Sequence, residues 1–347
     1  DLIANAHVVS LPLRSRFRGI EQREILVFEG PQGWAEWSPF VEYGTDEAAV
    51  WLQSAIEWAY DPSFSSDQLA QFRPSVSVNA TLPAVLPQQI EQTLKPFGDF
   101  STLKIKVAGL GADASAAALS ADLARVNRAH ELYPQARLRL DANGLWSMTE
   151  AQQAIEQIEQ AGLTPAIEYL EQPVATIGEL AELRVWLKRN GLNLKIAADE
   201  SVRKVSDPLA VAHAGAADIL VLKVAPLGGI HSALRIASEA NLPVVVSSAL
   251  ESSVGIATGL ALAAALPDIG LDAGLGTAAL LAADAHRRGL ARVVHLGDHT
   301  AGRHAGLERF LVQLRLNLAG EALDLIGADR SQGAAVPIAL VELQQAL

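Results

Sequence analysis

The sequence contains no cysteine among its 347 residues. This absence excludes disulfide bonds, thiolate metal sites and a cysteine nucleophile, and it suits a reducing compartment. The first residues, "DLIANAHVVSLPLRSRFRG", also lack the basic start of a signal peptide, and Asn5 and His7 interrupt their apolar part. We therefore expect a cytoplasmic protein.

Basic residues are scarce relative to acidic ones. The chain has 27 Lys and Arg against 39 Asp and Glu, which gives a formal net charge of −12 and a pI of about 5.1. Nucleic acid is therefore not an expected partner. Long apolar runs are missing too, because the most apolar stretch, "GIATGLALAAALP" from Gly255, is too short to cross a bilayer. No membrane partner is expected, and the sequence leaves oligomeric partners open.

Hydrophobic residues, in contrast, make up half of the chain, which is enough for a large core. Residues 7–43 alternate apolar and polar character around Gly30 and Gly33, which predicts antiparallel strands. Residues 45–60 follow with an acidic first turn and predict a helix. Together these elements predict an N-terminal α+β domain over residues 1–74.

From residue 75 onward, short apolar runs alternate with helical segments. The eight predicted strands lie at 75–80, 103–107, 138–143, 167–173, 195–201, 218–225, 244–251 and 269–276. Polar residues near six of the strand ends recur at intervals of 35, 30, 28, 24 and 24 residues: Lys106, Asp141, Glu171, Asp199, Lys223 and Ser247. This period predicts parallel strands joined by crossover helices. Eight units favour a closed TIM barrel over residues 75–283, with an open sheet as the alternative.

Three acidic residues directly follow successive predicted strands: Asp141, Glu171 and Asp199. The C-terminal ends of barrel strands meet at one mouth, so these carboxylates would gather there and repel each other unless a cation lies between them. Oxygen ligands without Cys or His indicate a hard cation, Mg²⁺ first and Mn²⁺ as a possible substitute. The alternative is that each carboxylate merely caps the helix that follows it.

Two lysines, Lys104 and Lys106, lie two residues apart in "LKIKV" and would share one face of a buried strand. Lys223 repeats the anomaly in "LVLKVA". The alternative is a solvated pair on an edge strand. Crowded cations lower the pKa of a lysine from about 10.4 toward that of a general base. A metal and such lysines together indicate removal of a proton α to a carboxylate, followed by elimination, racemisation or cycloisomerisation.

The whole residue series resembles the enolase superfamily, muconate-lactonising subgroup. It is carried by "KIK" at 104–106, "LDAN" around Asp141, "LEQP" around Glu171, "ADES" around Asp199 and "VLK" at 221–223. The resemblance implies a modified TIM barrel, (β/α)₇β, with residues 1–74 as an α+β capping domain. It also implies Mg²⁺ on the three carboxylates, with Lys106 and Lys223 as acid/base residues and Lys104 in contact with the substrate carboxylate.

Further sequence motifs resemble those of the dehydratases within this subgroup. The stretches "VVVSSALESSVGIA", "LRLDANGLW" and "RFRG…GWAEWSPF" are similar to theirs. Lys223 stands where mandelate racemase-like members carry an acid, and Gly274 follows Asp272 where dipeptide epimerases carry a second Asp. The resemblance then implies that Lys106 removes the α proton and protonates the departing hydroxyl, while Lys223 stabilises the enediolate.

Three further residues are substrate-binding candidates: Ser247, Arg139 and Gly270. Ser247 would hold the substrate tail, or is simply a hydroxyl at a strand end. Arg139 would support the mouth, or form an ion pair behind it. Residues 284–347 carry no motif, and we expect part of this C-terminal segment to pack on the capping domain.

Two other functions stay open at this stage. The two-lysine arrangement also suits an N-succinylamino acid racemase, alone or combined with the dehydratase. A non-catalytic barrel that binds a carboxylate ligand is the second alternative, and it leaves the buried lysines without a purpose.

Overall fold

The computed structural model of the protein describes residues 5–69, 71–108, 116–203, 207–285 and 293–295. Within these residues the strands are β1 (His7–Phe17), β2 (Ile20–Gly30), β3 (Gly33–Trp37), β4 (Ala80–Leu82), β5 (Thr102–Lys106), β6 (Arg137–Asp141), β7 (Ile167–Glu171), β8 (Ile196–Ala198), β9 (Ile219–Leu222), β10 (Val244–Val246) and β11 (Val293–His295). The helices are α1 (Thr45–Tyr60), α2 (Ser66–Leu69), α3 (Ile90–Leu94), α4 (Ala116–Leu132), α5 (Met148–Gln160), α6 (Ile177–Arg189), α7 (Glu200–Arg203), α8 (Ala210–His213), α9 (Ile230–Ala240) and α10 (Ser253–Ala265).

The N-terminal domain is an antiparallel meander of β1, β2 and β3 packed against α1. Arg18 and Gly19 form the turn between β1 and β2, with φ of 49° and 81°, as a tight two-residue hairpin requires. The core between sheet and helix is aromatic, and includes buried Phe28, Trp37 and Trp51. The predicted antiparallel strands and the predicted helix over 45–60 are confirmed.

A short piece of the C-terminal segment lies on the edge of this sheet. Strand β11 pairs antiparallel with β1, with His7 opposite His295 and Val9 opposite Val293. Apart from residues 284, 285 and 293–295, the predicted segment 284–347 lies outside the described residues.

Seven parallel strands, in the order β4 to β10, form the second sheet. Ala273 and Gly274 close it, because Ala273 pairs with Val78 and Gly274 pairs with Ser247, both in parallel. The predicted (β/α)₇β barrel is therefore confirmed. The first strand starts later than predicted, at Ala80 rather than at residue 75, because regular pairing with β5 begins only there.

Helix starts in the barrel follow their sequence signals. Before α5, Ser147 Oγ accepts a hydrogen bond from the Glu150 amide, and Glu150 Oε2 accepts one from the Ser147 amide at 2.7 Å. Thr176 and Glu179 repeat this capping box before α6. Such signals fix where each helix begins, and so how long the loop at the barrel mouth is.

A floor of side chains fills the barrel beneath its mouth. Buried residues from neighbouring strands pack together here: Tyr169, Ala197, Ile219, Val221 and Val245. Polar residues at the C-terminal strand ends above this floor are therefore held on rigid, close-packed elements.

Two carboxylates of the capping domain bind the N-termini of barrel helices. Glu57 Oε1 accepts a hydrogen bond from the Ile230 amide at 2.6 Å, at the start of α9. Glu36 Oε2 accepts hydrogen bonds from the Ser252 and Gly255 amides, both at 3.1 Å, at the start of α10. Helix N-termini leave amides without partners inside the helix, and these carboxylates supply the acceptors.

Across the part of the chain that the structure describes, no helix is both long enough and apolar enough to cross a membrane.

Candidate active site

Strand register places three polar side chains side by side at the barrel mouth. Lys106 is paired with Asp141 across β5 and β6, and Asp141 is paired with Glu171 across β6 and β7. Neighbouring strands lie about 4.8 Å apart, so these side chains reach one another. Asp199 directly follows β8, and Lys223 directly follows β9. The predicted acidic and basic residues therefore share one mouth.

Lys104 and Lys106 share a single carboxylate oxygen. Asp141 Oδ2 lies 2.9 Å from Lys104 Nζ and 2.5 Å from Lys106 Nζ. Lys104 Nζ also lies 2.6 Å from Glu171 Oε1, so it bridges two acidic side chains. The anomalous pair of lysines in a buried strand is thus compensated by the carboxylates of the next two strands.

The two lysines differ in their pKa values. Burial lowers the pKa of Lys106, and Lys104 lowers it further, against the opposing effect of Asp141. Burial acts in the same direction on Lys104, but the charges of Asp141 and Glu171 outweigh it and raise the pKa of Lys104 well above its usual value. The folded environment therefore disfavours the charge on Lys106 and favours the charge on Lys104.

Lys223 lies on the other side of the mouth. Its Nζ is 2.5 Å from Asp199 Oδ2, and Arg203 Nε donates to Asp199 Oδ1 at 3.0 Å. Strands β5 and β9 are separated by three strands on one side, so Lys106 and Lys223 come from opposite walls of an eight-stranded barrel. Lys106 is thus paired with Asp141, and Lys223 with Asp199.

Glu171 is the acidic residue least compensated by its neighbours. Burial raises its pKa to about 7, and the charge of Asp141 contributes to the rise, as does that of Asp199. Its Oε2 is buried without a hydrogen-bond partner among the described residues. A hard cation would satisfy this oxygen and favour the charged form, so the donor set fits Mg²⁺. Within the described ranges, however, no three acidic or imidazole groups are arranged to hold a metal ion; Lys104 bridges Asp141 and Glu171, and Lys223 is paired with Asp199.

A cavity of about 430 Å³ opens above these side chains. Its lining includes all three lysines and Ser247 from the barrel, and Phe17 and Arg18 from the β1–β2 turn of the capping domain. The centroid of the Phe17 ring is 5.6 Å from Lys106 Nζ. Cationic groups from both domains therefore surround this cavity.

Ser247 lies beside Gly274, at the end of β10. A Cβ atom at Gly274 would lie 2.6 Å from Ser247 Oγ and 3.1 Å from Ser247 Cβ. A second acidic residue two positions after Asp272 would therefore have to displace the Ser247 side chain.

Arg139 and Gly270 are not brought to the cavity. The Arg139 side chain lies inside the barrel below the mouth, where its Nε donates to Glu168 at 2.6 Å and its guanidinium stacks on Tyr169. The Gly270 carbonyl accepts a hydrogen bond from Arg137, the first residue of β6, at the opposite end of the barrel. Neither residue lines the cavity.

Sequence reasoning missed two amides that orient the charged groups. Asn143 Oδ1 accepts a hydrogen bond from Lys106 Nζ at 2.8 Å. Gln172 Oε1 accepts hydrogen bonds from the backbone amides of Asp199 and Ser201, which ties the end of β7 to the end of β8. Asn143 and Gln172 have positive φ, 51° and 37°, which non-glycine residues rarely adopt. An amide side chain shortly after two of the three acidic strand ends, Asp141 and Glu171, was the available signal.

Family models match both domains. A model described as Enolase C-terminal domain-like matches residues 86–295, and one described as Enolase N-terminal domain-like matches residues 8–59. The chain belongs to the enolase superfamily, as the residue series predicted.

Relatives that share about half of their residues with this chain are named o-succinylbenzoate synthase. The chain is 49% identical to the o-succinylbenzoate synthase of Mycobacterium marinum over 284 residues, which covers 82% of this chain and 81% of the relative. The enzyme of the same name from Mycobacterium tuberculosis is 49% identical over 285 residues, with the same coverage.

Solved structures show the same fold at lower identity. The L-Ala-D/L-Glu epimerase from Bacillus subtilis has a TM-score of 0.66 and 23% identity, over 82% of this chain and 92% of that one. A dipeptide epimerase from Enterococcus faecalis, complexed with Mg and a dipeptide, has a TM-score of 0.64 and 24% identity, over 82% and 93%. At such identities the similarity concerns the fold alone.

Proposed function

We propose that this protein is an o-succinylbenzoate synthase, a lyase that removes water from 2-succinyl-6-hydroxy-2,4-cyclohexadiene-1-carboxylate to form 2-succinylbenzoate in menaquinone biosynthesis. The observation that carries the proposal is the position of Lys106 and Lys223 on opposite walls of one cavity, each paired with an aspartate. The identity of 49% to enzymes of that name supports this particular reaction.

In the proposed reaction, Lys106 removes the ring proton α to the carboxylate. Its lowered pKa favours the neutral amine that accepts this proton. The same ammonium group then protonates the hydroxyl that departs from the neighbouring ring carbon. The proton and the hydroxyl leave together as water, and the ring becomes aromatic. A single lysine serves both steps because both groups leave from one face.

Lys223 and Lys104 would stabilise the negative charge that develops meanwhile. Removal of the α proton converts the substrate carboxylate into an enediolate with two negative charges. Lys223 faces this charge from the wall opposite Lys106, and Lys104, whose pKa is raised, contributes a permanent cation. Preorganised cations in a site with little water are the strongest source of such stabilisation.

Asp141, Glu171 and Asp199 are the proposed ligands of Mg²⁺, or of Mn²⁺ in its place. When bound, the metal would supply positive charge at the substrate carboxylate oxygens and so acidify the α proton. The unpaired Oε2 of Glu171 supports this assignment. On this proposal the ligand of the site is a small-molecule carboxylate, and Ser247 and Arg18, which line the cavity, are the candidates to hold its succinyl tail.

Three substrates would test the proposal side by side: the cyclohexadiene carboxylate, an N-succinylamino acid and an L-Ala-L-Glu dipeptide. We expect metal-dependent formation of the aromatic product, followed by ultraviolet absorbance. Racemisation of the N-succinylamino acid without dehydration would replace the proposal by the racemase, and turnover of both would show a bifunctional enzyme. No turnover, together with no exchange of α protons with solvent deuterium, would favour a non-catalytic binding protein.

A further inference from the structure

Arg203 joins the capping domain to the acidic residues of the mouth. It is the last residue of α7, and its side chain is 3% exposed. Three of its nitrogen atoms reach three different partners. Nε donates to Asp199 Oδ1 at 3.0 Å, Nη2 donates to Glu200 Oε1 at 2.6 Å, and Nη1 donates to the hydroxyl of Tyr43 at 2.7 Å. Tyr43 is a buried residue of the capping-domain core.

Two chains of contacts lead from this guanidinium to the two opposed lysines. The first runs through Asp199, whose other oxygen is 2.5 Å from Lys223 Nζ. The second runs through Glu200, whose Oε1 also accepts a hydrogen bond from Asn143 Nδ2 at 3.3 Å. Asn143 in turn accepts one from Lys106 Nζ. A shift of Arg203 would therefore change the contacts of the lysines on both walls of the cavity.

We propose that Arg203 is a positioning residue. Through Tyr43 it couples the position of the capping domain on the barrel to the orientation of Asp199. Through Glu200 it couples that position to the hydrogen-bonded chain of Glu200, Asn143 and Lys106. The inference rests on the proposed function for the roles of Asp199 and Lys106. A planar guanidinium suits this purpose, because its donors are fixed in a fork and its charge is permanent. A lysine in its place could hold only part of the three contacts.

The coupling works in both directions. If a seated capping domain holds Asp199 in the geometry that favours the metal, then metal binding must favour the seated domain by the same factor. The capping domain also supplies Phe17 and Arg18 to the cavity. Metal and substrate would therefore reinforce each other through Tyr43 and Arg203, although Tyr43 itself does not line the cavity.

The experiment measures Mn²⁺ affinity and steady-state kinetics in the full chain. Mn²⁺ binding is followed by the electron paramagnetic resonance signal of the free ion, without substrate. The variants are Tyr43→Phe, which removes one hydroxyl, and Arg203→Lys. The matched controls are Tyr133→Phe and Arg235→Met, which alter partly buried or exposed side chains on the outside of the barrel.

For Arg203→Lys we expect Mn²⁺ affinity and kcat each to fall by about 10- to 100-fold, as is typical when a partner of a metal ligand is removed. For Tyr43→Phe we expect a smaller fall in the same two quantities, between about three- and 10-fold, with a change in KM of less than about two-fold. The controls should match the wild type.

Lower thermal stability with wild-type Mn²⁺ affinity and kcat would show a merely structural residue and overturn the inference. So would a Tyr43→Phe variant within two-fold of wild type in both quantities, which decides the matter even if Arg203→Lys fails to fold. Failure of the proposed function gives a different result, because wild-type protein would then bind Mn²⁺ without turning over the cyclohexadiene substrate, and the affinity measurements would still test the coupling. Wild-type protein that binds no Mn²⁺ would overturn both.

Discussion

Substitution by methionine should affect turnover at Lys106 and stability at Lys104, although the two lysines lie two residues apart on one strand. Lys106→Met removes the proposed base, and general-base catalysis is worth about 10²–10⁴-fold. Because the same group also returns the proton, kcat should fall by at least about 10⁴-fold. Stability should hold, since a lowered pKa means that folding disfavours the charge on Lys106, and Asp141 keeps Lys104 as a partner.

Lys104→Met should instead destabilise the fold. Its raised pKa means that folding favours this cation, which bridges Asp141 and Glu171. Removing one partner of a buried ion pair costs about 3–5 kcal/mol, because the other charge stays buried. The entropy of unfolding, about 2.1 cal/mol/K per residue, corresponds to about 1.4 °C per kcal/mol for 347 residues, so the melting temperature should drop by roughly 4–7 °C.

The assay is thermal unfolding in the presence of a chelator, with turnover measured on the same preparations. Lys95→Met, on the exposed surface, is the matched control and should equal the wild type in both. If Lys106→Met unfolds the protein or keeps near-normal turnover, or if Lys104→Met is as stable as the wild type, the assignment of a base and a permanent cation on β5 is refuted.

Four further outcomes are expected. Lys223→Ala should lower kcat by about 10²–10³-fold in steady-state assays, through lost electrostatic stabilisation, and a smaller loss would contradict its role. Asp141→Asn should weaken metal binding, and chelation of the wild type should abolish turnover while the circular dichroism spectrum is kept. Arg18→Ala should raise KM more than it lowers kcat, because Arg18 lines the cavity without contacting the proposed acid/base groups. Burial raises the pKa of Glu36 to about 7, so the folded protein holds this proton while the unfolded chain loses it from about pH 4.5 upward. The free energy of unfolding should therefore fall between about pH 4.5 and pH 7. In chemical denaturation, Glu36→Gln should remove up to about 3 kcal/mol of that fall.

Much of the fold, and the positions of the charged residues at the strand ends, could be predicted from sequence, because both follow from local periodicity. Strand–helix alternation placed Asp141, Glu171 and Asp199 at successive strand ends, and parallel strands bring such ends together. Their roles as ligands stay a prediction. The position of Arg139 in the barrel interior followed from its spacing of two from Asp141, but its depth below the mouth did not.

What could not be predicted depends on contacts between distant parts of the chain. No local pattern connects Tyr43 to Arg203, which lie 160 residues apart in sequence. The position of Gly270 depends on pairing of the predicted eighth strand: the paired residues there are Ala273 and Gly274, and the Gly270 carbonyl lies beside Arg137 at the far end of the barrel. Strand register decided the position of Gly270, and contact between the two domains decided that of Tyr43 and Arg203.

The carboxylates of Glu36 and Glu57 connect the capping domain to the barrel. Helices α9 and α10 begin with amides whose acceptors lie 173 and 216 residues earlier in the chain. At the start of α9, Gly229 has a φ of 128°, and a Cβ atom there would collide with the Glu57 carboxylate. A barrel expressed without the N-terminal residues would expose both helix starts, so the two domains should melt in a single calorimetric transition. Exchange of capping domains between relatives would then succeed only where both carboxylates and this glycine are inherited together.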